Sequence, residues 1–279
     1  SNPTKAKESP RRAGGKTLMQ LFHDHFQNYK RYNTPKAQLI IADIPYNLGT
    51  NAYGSNPSWY IDGDNKKGES ELAGKQFFDT DKNFRVPEFM HFASKMLRPE
   101  PKTKGQAPCM IVFCSFEQQI PLMEEARQYG FKNYINLVFR KPTSPQVLKA
   151  NMRVVGNAEY ALILYRDKLP KFNNHGHMIM NVMDWAKDGK HVPKIHPTQK
   201  PVALIERLVE LFTVPGVVVI VPCAGSGSTL VAAENLGRKS YGFEIKKDFY
   251  QAFQDKMQHA VTPVLDLWSQ PDEPLSLEL

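Results

Sequence analysis

The chain has 279 residues, with 36 Lys and Arg against 28 Asp and Glu, a formal net charge of +8 and 41% hydrophobic residues. Such a chain can bury a large core, so a wholly disordered protein is excluded; no apolar run approaches the roughly 18–20 residues of a membrane span, so no membrane partner is expected. Three cysteines are too few for a disulfide framework and favour a reduced, cytoplasmic location. The basic balance is compatible with a nucleic-acid partner but does not by itself predict one.

The two ends of the chain differ in composition from its centre. Residues 1–17 are rich in Pro, Gly, Ser, Lys and Arg, and we interpret them as a flexible basic arm, either a nucleic-acid contact or an inert end. The arm has no apolar segment behind it, as a secretory signal would require. Residues 266–279 are interpreted as a C-terminal tail, which leaves 18–265 as one domain.

Short apolar runs alternate with amphipathic stretches through this domain. After an apolar run at 18–22 and a polar helical stretch, six runs are typical of buried strands: residues 39–45, 110–116, 134–139, 159–165, 217–221 and 240–245. Apolar residues at helical spacing predict helices near 86–97, 120–130, 201–212 and 228–237, with a last helix from about residue 248. The alternation predicts an α/β fold with a mostly parallel sheet and helices on both faces.

Three stretches between these elements have no clear periodicity. Residues 47–80 begin with many Gly, Asn and Ser, and residues 166–195 are mixed and low in core character. A basic loop between the third and fourth predicted strands carries Lys141, Lys149 and Arg153, which either contact phosphates or form a solvated face.

A glycine turn, residues 224–229 (AGSGST), lies between a predicted strand and a predicted helix. Glycines allow a tight turn close to a ligand, and the helix start offers free N–H groups. Glu244 ends the next strand, 17 residues after Gly227, where an acid can accept hydrogen bonds from both hydroxyls of a ribose. The pattern favours a nucleoside cofactor site over a purely structural turn, although Leu230 replaces the third glycine of the dinucleotide fingerprint.

Two further motifs stand at element ends. Asp43-Ile44-Pro45-Tyr46 closes the first buried strand, and a carboxylate there points to the crevice where parallel sheets bind ligands. An aromatic residue beside it can stack on a flat base. Residues 196–201 (HPTQKP) lead into a helix. Taken alone, the first motif is a common turn and the second a polar helix start.

Together, these motifs resemble the amino-methyltransferases that methylate exocyclic amines in DNA, in their permuted β class. Residues 43–46 resemble the catalytic D-P-P-Y tetrapeptide of that family, and residues 196–201 match its H-P-T-Q-K-P segment letter for letter. Residues 222–229 look like its cofactor loop, and His23-Asp24 is similar to its Gly-Asp element. The catalytic strand precedes the cofactor loop, as the β class requires.

The resemblance implies a Rossmann-like methyltransferase fold, circularly permuted, with S-adenosylmethionine as cofactor. It implies catalytic roles for Asp43, Ile44, Pro45 and Tyr46. The implied cofactor-binding residues are Asp24, Asp43, Thr198, Lys200, Ala224, Gly225, Ser226, Gly227 and Glu244. The implied DNA contacts are Lys141, Lys149 and Arg153, and the segments 47–80 and 166–195 are candidate target-recognition segments.

Two positions depart from the family pattern. Ile44 replaces the first proline of the tetrapeptide but still supplies the main-chain carbonyl that the family uses to hold the target amine. Val221 replaces the acid that normally opens the cofactor loop, and this puts strong cofactor affinity in doubt. No metal is expected, because the pairs His23/His25 and His175/His177 lack Cys or acidic partners at a zinc spacing.

The resemblance therefore implies transfer of a methyl group to the N6 amine of a flipped adenine in duplex DNA. The choice of adenine depends on Asp43, because in this family Asp at this position is commoner in adenine enzymes and Ser in cytosine enzymes. Methylation of cytosine N4 or of RNA adenine stays open, as does an inactive relative that binds DNA or a protein. A homodimer is also open, since dimers are common in this class.

Overall fold

The computed structural model describes residues 17–45, 84–143, 146–149, 152–196 and 198–262. Its strands are β1 Met19–Phe22, β2 Leu39–Asp43, β3 Cys109–Cys114, β4 Asn133–Arg140, β5 Gln146–Lys149, β6 Val154–Gly156, β7 Ala158–Tyr165, β8 Val182–Asp184, β9 Val218–Val221 and β10 Lys239–Phe243. Its α-helices are α1 Val86–Met96, α2 Gln119–Gln128, α3 Val202–Phe212, α4 Ser228–Asn235 and α5 Lys247–Asp255. Two short 3₁₀ helices span Phe26–Tyr32 and Met257–Ala260.

Eight of the described strands form one sheet in the order β1-β10-β9-β2-β3-β7-β4-β8. All of these neighbours pair in parallel except β7, which is antiparallel to both β3 and β4. Ile41 lies opposite Ile111 in the central β2–β3 pair, and Leu39 lies opposite Val219 in the β2–β9 pair. The mostly parallel α/β sheet predicted from the sequence is confirmed.

The central strands are buried on both faces, which explains their unbroken apolar sequence. Successive side chains of a strand point to opposite faces, so Ile40 and Ala42 pack into one core while Leu39 and Ile41 pack into the other. Helices α1 and α2 cover the first face, and α3 and α4 cover the second together with Phe253 of α5. The predicted helix cover on both faces is therefore present.

The six predicted strands and five predicted helices are all present, with ends that differ by one or two residues. The apolar run at 18–22 is β1, which pairs with β10 at one end of the sheet. The polar stretch after it is a 3₁₀ helix, Phe26–Tyr32. Cys109 and Cys114 begin and end β3 as buried core thiols, and burial raises the pKa of each.

The structure corrects two of the predicted loops. Part of the basic loop is an antiparallel hairpin of β5 and β6, whose strands are too short to show a strand pattern; Leu148, Val154 and Val155 are exposed there. The stretch 166–195 was predicted to be low in core character, but it supplies β8 to the sheet edge and packs Met183, Trp185 and Ile195 against the core. Asp188 also caps α3, because its carboxylate accepts hydrogen bonds from the first two N–H groups of the helix.

Some of the predicted segments lie outside the described residues. These are the basic arm except for Thr17, the segment 47–80, and the C-terminal tail. Among the residues that the structure describes, no helix is both long and apolar enough to cross a bilayer.

We expect Gly227→Ala to destabilise the fold more than Gly237→Ala. Both glycines have a positive φ, 77° and 71°, which costs alanine about 1–2 kcal/mol. A β-carbon at Gly227 would also overlap the ring of Phe253, whereas one at Gly237 meets no atom within 4 Å. Overpacking adds about 1–3 kcal/mol to this cost. The free energy of unfolding from urea denaturation should therefore be lowest for Gly227→Ala, higher for Gly237→Ala and highest for wild type. Equal losses would contradict close packing of α5 on the glycine turn.

Candidate active site

A cavity of about 760 Å³ opens where the carboxyl ends of β2, β3 and β9 meet. Parallel sheets bind ligands at this edge, and the volume is in the range of small-molecule sites. Ten of the residues singled out from the sequence line the cavity: Asp43, Ile44, Pro45, Lys141, Thr198, Lys200, Ala224, Gly225, Ser226 and Glu244. The fold thus gathers the three sequence motifs around one space.

Glu244 connects β10 to the glycine turn. Its Oε2 accepts a hydrogen bond from the Gly225 N–H at 2.8 Å, and its Oε1 accepts one from the Lys246 N–H at 2.7 Å. The side chain is only 8% exposed, and this burial raises the pKa of the carboxyl above its ordinary value. A carboxylate has about four acceptor positions, so Glu244 can bind ligand hydroxyls while it holds the turn.

Asp43 is the last residue of β2, and the turn that follows it is held by backbone contacts. The Ile44 N–H donates to the Phe113 carbonyl at 3.2 Å, which continues the pairing with β3. The Gln118 side chain donates to the Pro45 carbonyl at 2.8 Å. Ile44 itself is 1% exposed, and its side chain packs into the core beneath the turn. Tyr46 lies outside the described residues.

An alternating row of charges crosses the floor of the cavity. Lys200 Nζ lies 2.8 Å from Asp43 Oδ2 and 3.1 Å from Glu159 Oε2. Glu159 Oε1 forms a second ion pair with the ammonium of Lys141. Both lysines also lie over aromatic rings, Lys200 over Phe113 and Lys141 over Trp185. The row is therefore Asp43, Lys200, Glu159 and Lys141, with the signs of charge alternating.

The ionisation of Glu159 follows from its neighbours. Burial on its own would raise the pKa of this carboxyl, but the ammonium groups of Lys200 and Lys141 hold the pKa below its ordinary value. Glu159 is therefore anionic at neutral pH. Lys200 is 6% exposed, a degree of burial that a lysine tolerates only when it is paired.

His196 is the second group that the H-P-T-Q-K-P segment brings to the cavity. Burial and the nearby ammonium groups of Lys200 and Lys246 lower its pKa to about 4, so the ring is neutral at pH 7. Its Nδ1 accepts a hydrogen bond from the Thr198 N–H at 3.2 Å, and its ring packs against Phe249 at 4.3 Å between centroids. The segment is thus more than a polar helix start, since it places His196, Thr198 and Lys200 on one wall.

Some predicted residues lie elsewhere. Asp24 is not among the residues that line the cavity; its carboxylate accepts hydrogen bonds from Asn28, Tyr32 and the His25 N–H, and these bonds, that of Asn28 above all, lower its pKa. Gly227 starts α4 beneath the cavity wall and packs on α5. A cofactor role for Asp24 and Gly227 therefore stays a prediction.

The predicted DNA contacts also differ in position. Lys141 is 19% exposed, and its ammonium pairs with Glu159 inside the cavity rather than pointing to the surface. Arg153 is exposed at the turn of the hairpin, with a φ of 55°. Lys149 belongs to β5, but its side chain lies outside the described part of the chain. Contacts of these residues with phosphates stay a prediction.

Sequence reasoning missed Glu159, Gln118 and Phe249. Glu159 carries a detectable signal, because it is a charged residue at the start of an otherwise apolar strand. Gln118 and Phe249 carry none, since each is a common residue of a helix or helix start. Val221 lines the cavity and is 2% exposed, so the position of the missing family acid is occupied by a buried apolar side chain.

The described residues offer no metal centre. No group of three or more His, Cys, Asp or Glu side chains in this part of the chain lies close enough together to hold an ion. Burial raises the pKa of the Cys223 thiol, so Cys223 is a neutral part of the cavity wall.

Comparison with curated proteins identifies methylases as relatives. YubD of Escherichia coli K12, a protein named as a methylase, is 31% identical over 148 residues, which is 53% of this chain and 61% of YubD. The DNA adenine methyltransferase YhdJ of Escherichia coli K12 is 25% identical over 86% of this chain and 82% of its own. The type II methyltransferase M2.DpnII of Streptococcus pneumoniae is 25% identical over 87% of this chain and 91% of its own.

Solved structures show the same fold. The complex of M1.HpyAVI with SAM has a TM-score of 0.59 at 22% identity, over 85% of this chain and 98% of its own. The PvuII DNA methyltransferase, titled as cytosine-N4-specific, has a TM-score of 0.57 at 17% identity, over 86% of this chain and 88% of its own. A family model described as DNA methylase matches residues 37–255, which include both the Asp43 strand and the glycine turn. The chain belongs to this family, the N6/N4 DNA methyltransferases.

Proposed function

We propose that this protein transfers a methyl group from S-adenosylmethionine to the N6 amine of a flipped adenine in duplex DNA. One observation carries the proposal: a single cavity joins the buried Glu244 carboxylate and glycine turn to the Asp43 turn. A nucleoside site beside an acceptor for a base amine is what methyl transfer between two bound molecules requires.

The cofactor half of the cavity fits S-adenosylmethionine. In this proposal Glu244 accepts hydrogen bonds from the ribose hydroxyls, and Gly225, Ser226 and Thr198, which line the same cavity, border the cofactor. The cofactor brings a methyl group already activated on a sulfonium, so what remains for the protein is positioning and electrostatics. Neutral His196 adds no positive charge to this wall.

The base half of the cavity contains Asp43 and the Ile44–Pro45 turn. An adenine amine is a poor nucleophile because its lone pair is delocalised into the ring, so the protein must accept its hydrogen bonds and favour a pyramidal nitrogen. The Asp43 carboxylate and the Ile44 carbonyl are the acceptors in this proposal, and Tyr46 stacks on the base. Extrusion of the base is required, because the amine is otherwise enclosed in the duplex.

The choice of adenine over cytosine rests on Asp43, through the family pattern, and on the similarity to YhdJ, which is named as an adenine enzyme. The similarity to the PvuII enzyme, named for cytosine, supports N4-cytosine as the second candidate. Nucleoside mass spectrometry of DNA from cells that express the protein tests both. N6-methyladenine is the expected product; N4-methylcytosine would move the proposal to the second candidate, and unmodified DNA would favour an inactive relative.

We expect Glu244→Ala to weaken S-adenosylmethionine binding by about 1.5–3 kcal/mol, the cost of losing a hydrogen bond to a charged group. Isothermal titration calorimetry measures the change directly. Asp248→Ala is the matched control, because it removes an exposed carboxylate from the nearby α5 without touching the cavity. Unchanged affinity in Glu244→Ala would remove Glu244 from the cofactor site.

We expect Asp43→Asn to lower the single-turnover rate of methyl transfer by about 100-fold or more, as for loss of a proton acceptor. The amide keeps the shape but loses the charge, and it can present N–H donors to an amine that needs an acceptor. DNA binding, followed by fluorescence anisotropy, should persist. Asp248→Asn, which removes the charge of an exposed carboxylate of α5 outside the cavity, should keep the wild-type rate. A near wild-type rate in Asp43→Asn would exclude Asp43 as the acceptor.

A further inference from the structure

Lys200 is shared between two carboxylates that come from different strands. Its Nζ lies 2.8 Å from Asp43 Oδ2, at the end of β2, and 3.1 Å from Glu159 Oε2, near the start of β7. The lysine itself comes from the segment that precedes α3 and lies over the Phe113 ring, 5.0 Å from its centroid. Three separate parts of the chain therefore meet at one buried ammonium group.

The strand directions explain how Glu159 reaches this point. Because β7 is antiparallel to β3, its first residues lie at the same sheet edge as the last residues of β2 and β3. Tyr160 pairs with Cys114 and Asp43 pairs with Phe113, so Glu159 and Asp43 flank the end of β3 from opposite sides. Lys200 bridges over that end.

The charges of the row balance. Two carboxylates and two ammonium groups give no net charge, which makes their burial tolerable, since an unmatched buried charge is costly. Lys141 holds Glu159 from its far side, and Glu159 draws Lys200 away from exclusive contact with Asp43. The strength of the ion pair between Lys200 and Asp43 thus depends on Glu159, which is not the neighbour of Asp43 in the row.

We infer that Glu159 is a positioning residue: it shares the Lys200 ammonium with Asp43, so that Lys200 keeps Asp43 charged and aimed into the cavity without neutralising it as an acceptor. The inference rests on the proposed role of Asp43. Without Lys200, Asp43 would lose the ammonium group at 2.8 Å that favours its charged form, so its carboxyl would take up a proton more readily. Without Glu159, Lys200 would pair with Asp43 alone and compete with the target amine for its oxygens.

Three other ionisable groups that the structure describes on this side of the cavity are neutral at pH 7. On β3, burial raises the pKa of the Cys114 thiol to about 12, and after β9 burial raises that of Cys223 further. His196, which faces Lys200 on the same segment, has a pKa lowered to about 4. Lys200 and Glu159 are therefore the charged groups of the row whose removal should move the Asp43 titration most.

The test compares single-turnover rates against pH for wild type, Lys200→Met, Glu159→Gln and the double variant. Lys200→Met should move the acidic limb of the profile to higher pH by about one unit. This is the low end of the pKa shift expected when a nearby opposite charge is lost, because the Asp43 side chain is 33% exposed to solvent. Glu159→Gln should move it down. The double variant removes one charge of each sign, so its limb should return close to that of wild type.

A second readout does not depend on turnover. In protein labelled with ¹³C at the aspartate carboxyls, the Asp43 resonance is identified by its loss in Asp43→Asn and then titrated in each variant. The same order of pKa values is expected: Lys200→Met highest and Glu159→Gln lowest. Lys132→Met, which breaks an exposed ion pair with Asp167, should leave the Asp43 titration and the rate profile unchanged.

The outcomes separate the two proposals. Rates that fall by one constant factor at every pH, with an unmoved Asp43 titration, would show that Lys200 and Glu159 are only structural and would overturn the inference. A wild-type protein that transfers no methyl group, yet shows the expected order of Asp43 titrations, would overturn the proposed function and keep the charge coupling. If Lys200→Met does not fold, the comparison of Glu159→Gln with Lys200→Arg decides. Lys200→Arg keeps the positive charge and should keep the wild-type acidic limb, whereas Glu159→Gln should move that limb to lower pH.

Discussion

The parallel pairing of the central strands places the site, because it brings the carboxyl ends of β2, β3 and β9 to one edge. Asp43 and Val221 each end a strand, and the glycine turn begins just after β9. Side chains that lie 157 residues apart in the chain, Lys200 and Asp43, thus come within 2.8 Å. The apolar sequence of these strands is needed for the site as much as for stability, since parallel sheets of this kind occur with both faces covered.

Much of this arrangement could be predicted from the sequence. Runs such as 39–43 and 109–114 are apolar over their whole length, and the period of α3 is unambiguous, so the sheet and its helix cover followed from local patterns. The three motifs at strand or helix ends were expected at one sheet edge because parallel strands share their orientation. The turn residues that line the cavity beside Asp43 and Glu244, among them Ile44 and Gly225, follow from that reasoning and from the family resemblance.

The remaining features depend on distances along the chain that local patterns do not carry. Strand β8 has three residues, and the hairpin strands have four and three, so none of them is long enough to show a period. The ion pairs of Lys200 with Asp43 and Glu159 require knowing that β7 runs against β3, and a sequence pattern gives strand positions but not their direction. For the same reason Lys141 was expected at a DNA surface, although its ammonium pairs with Glu159 within the cavity.

The reversed strand β7 has a consequence for how the protein is built. Its first residues lie at the cavity, so the chain segment that enters it, the β5–β6 hairpin, joins the fold at the cavity mouth, where Leu148, Val155 and Asn157 form part of the wall. The hairpin makes its described pairings within itself and adds no strand to the main sheet. Its length and composition can therefore vary without shifting the register of the sheet, and changes at Leu148 or Val155 would alter the wall of the cavity. The main sheet therefore fixes the cavity, whereas a hairpin that can vary forms part of its wall.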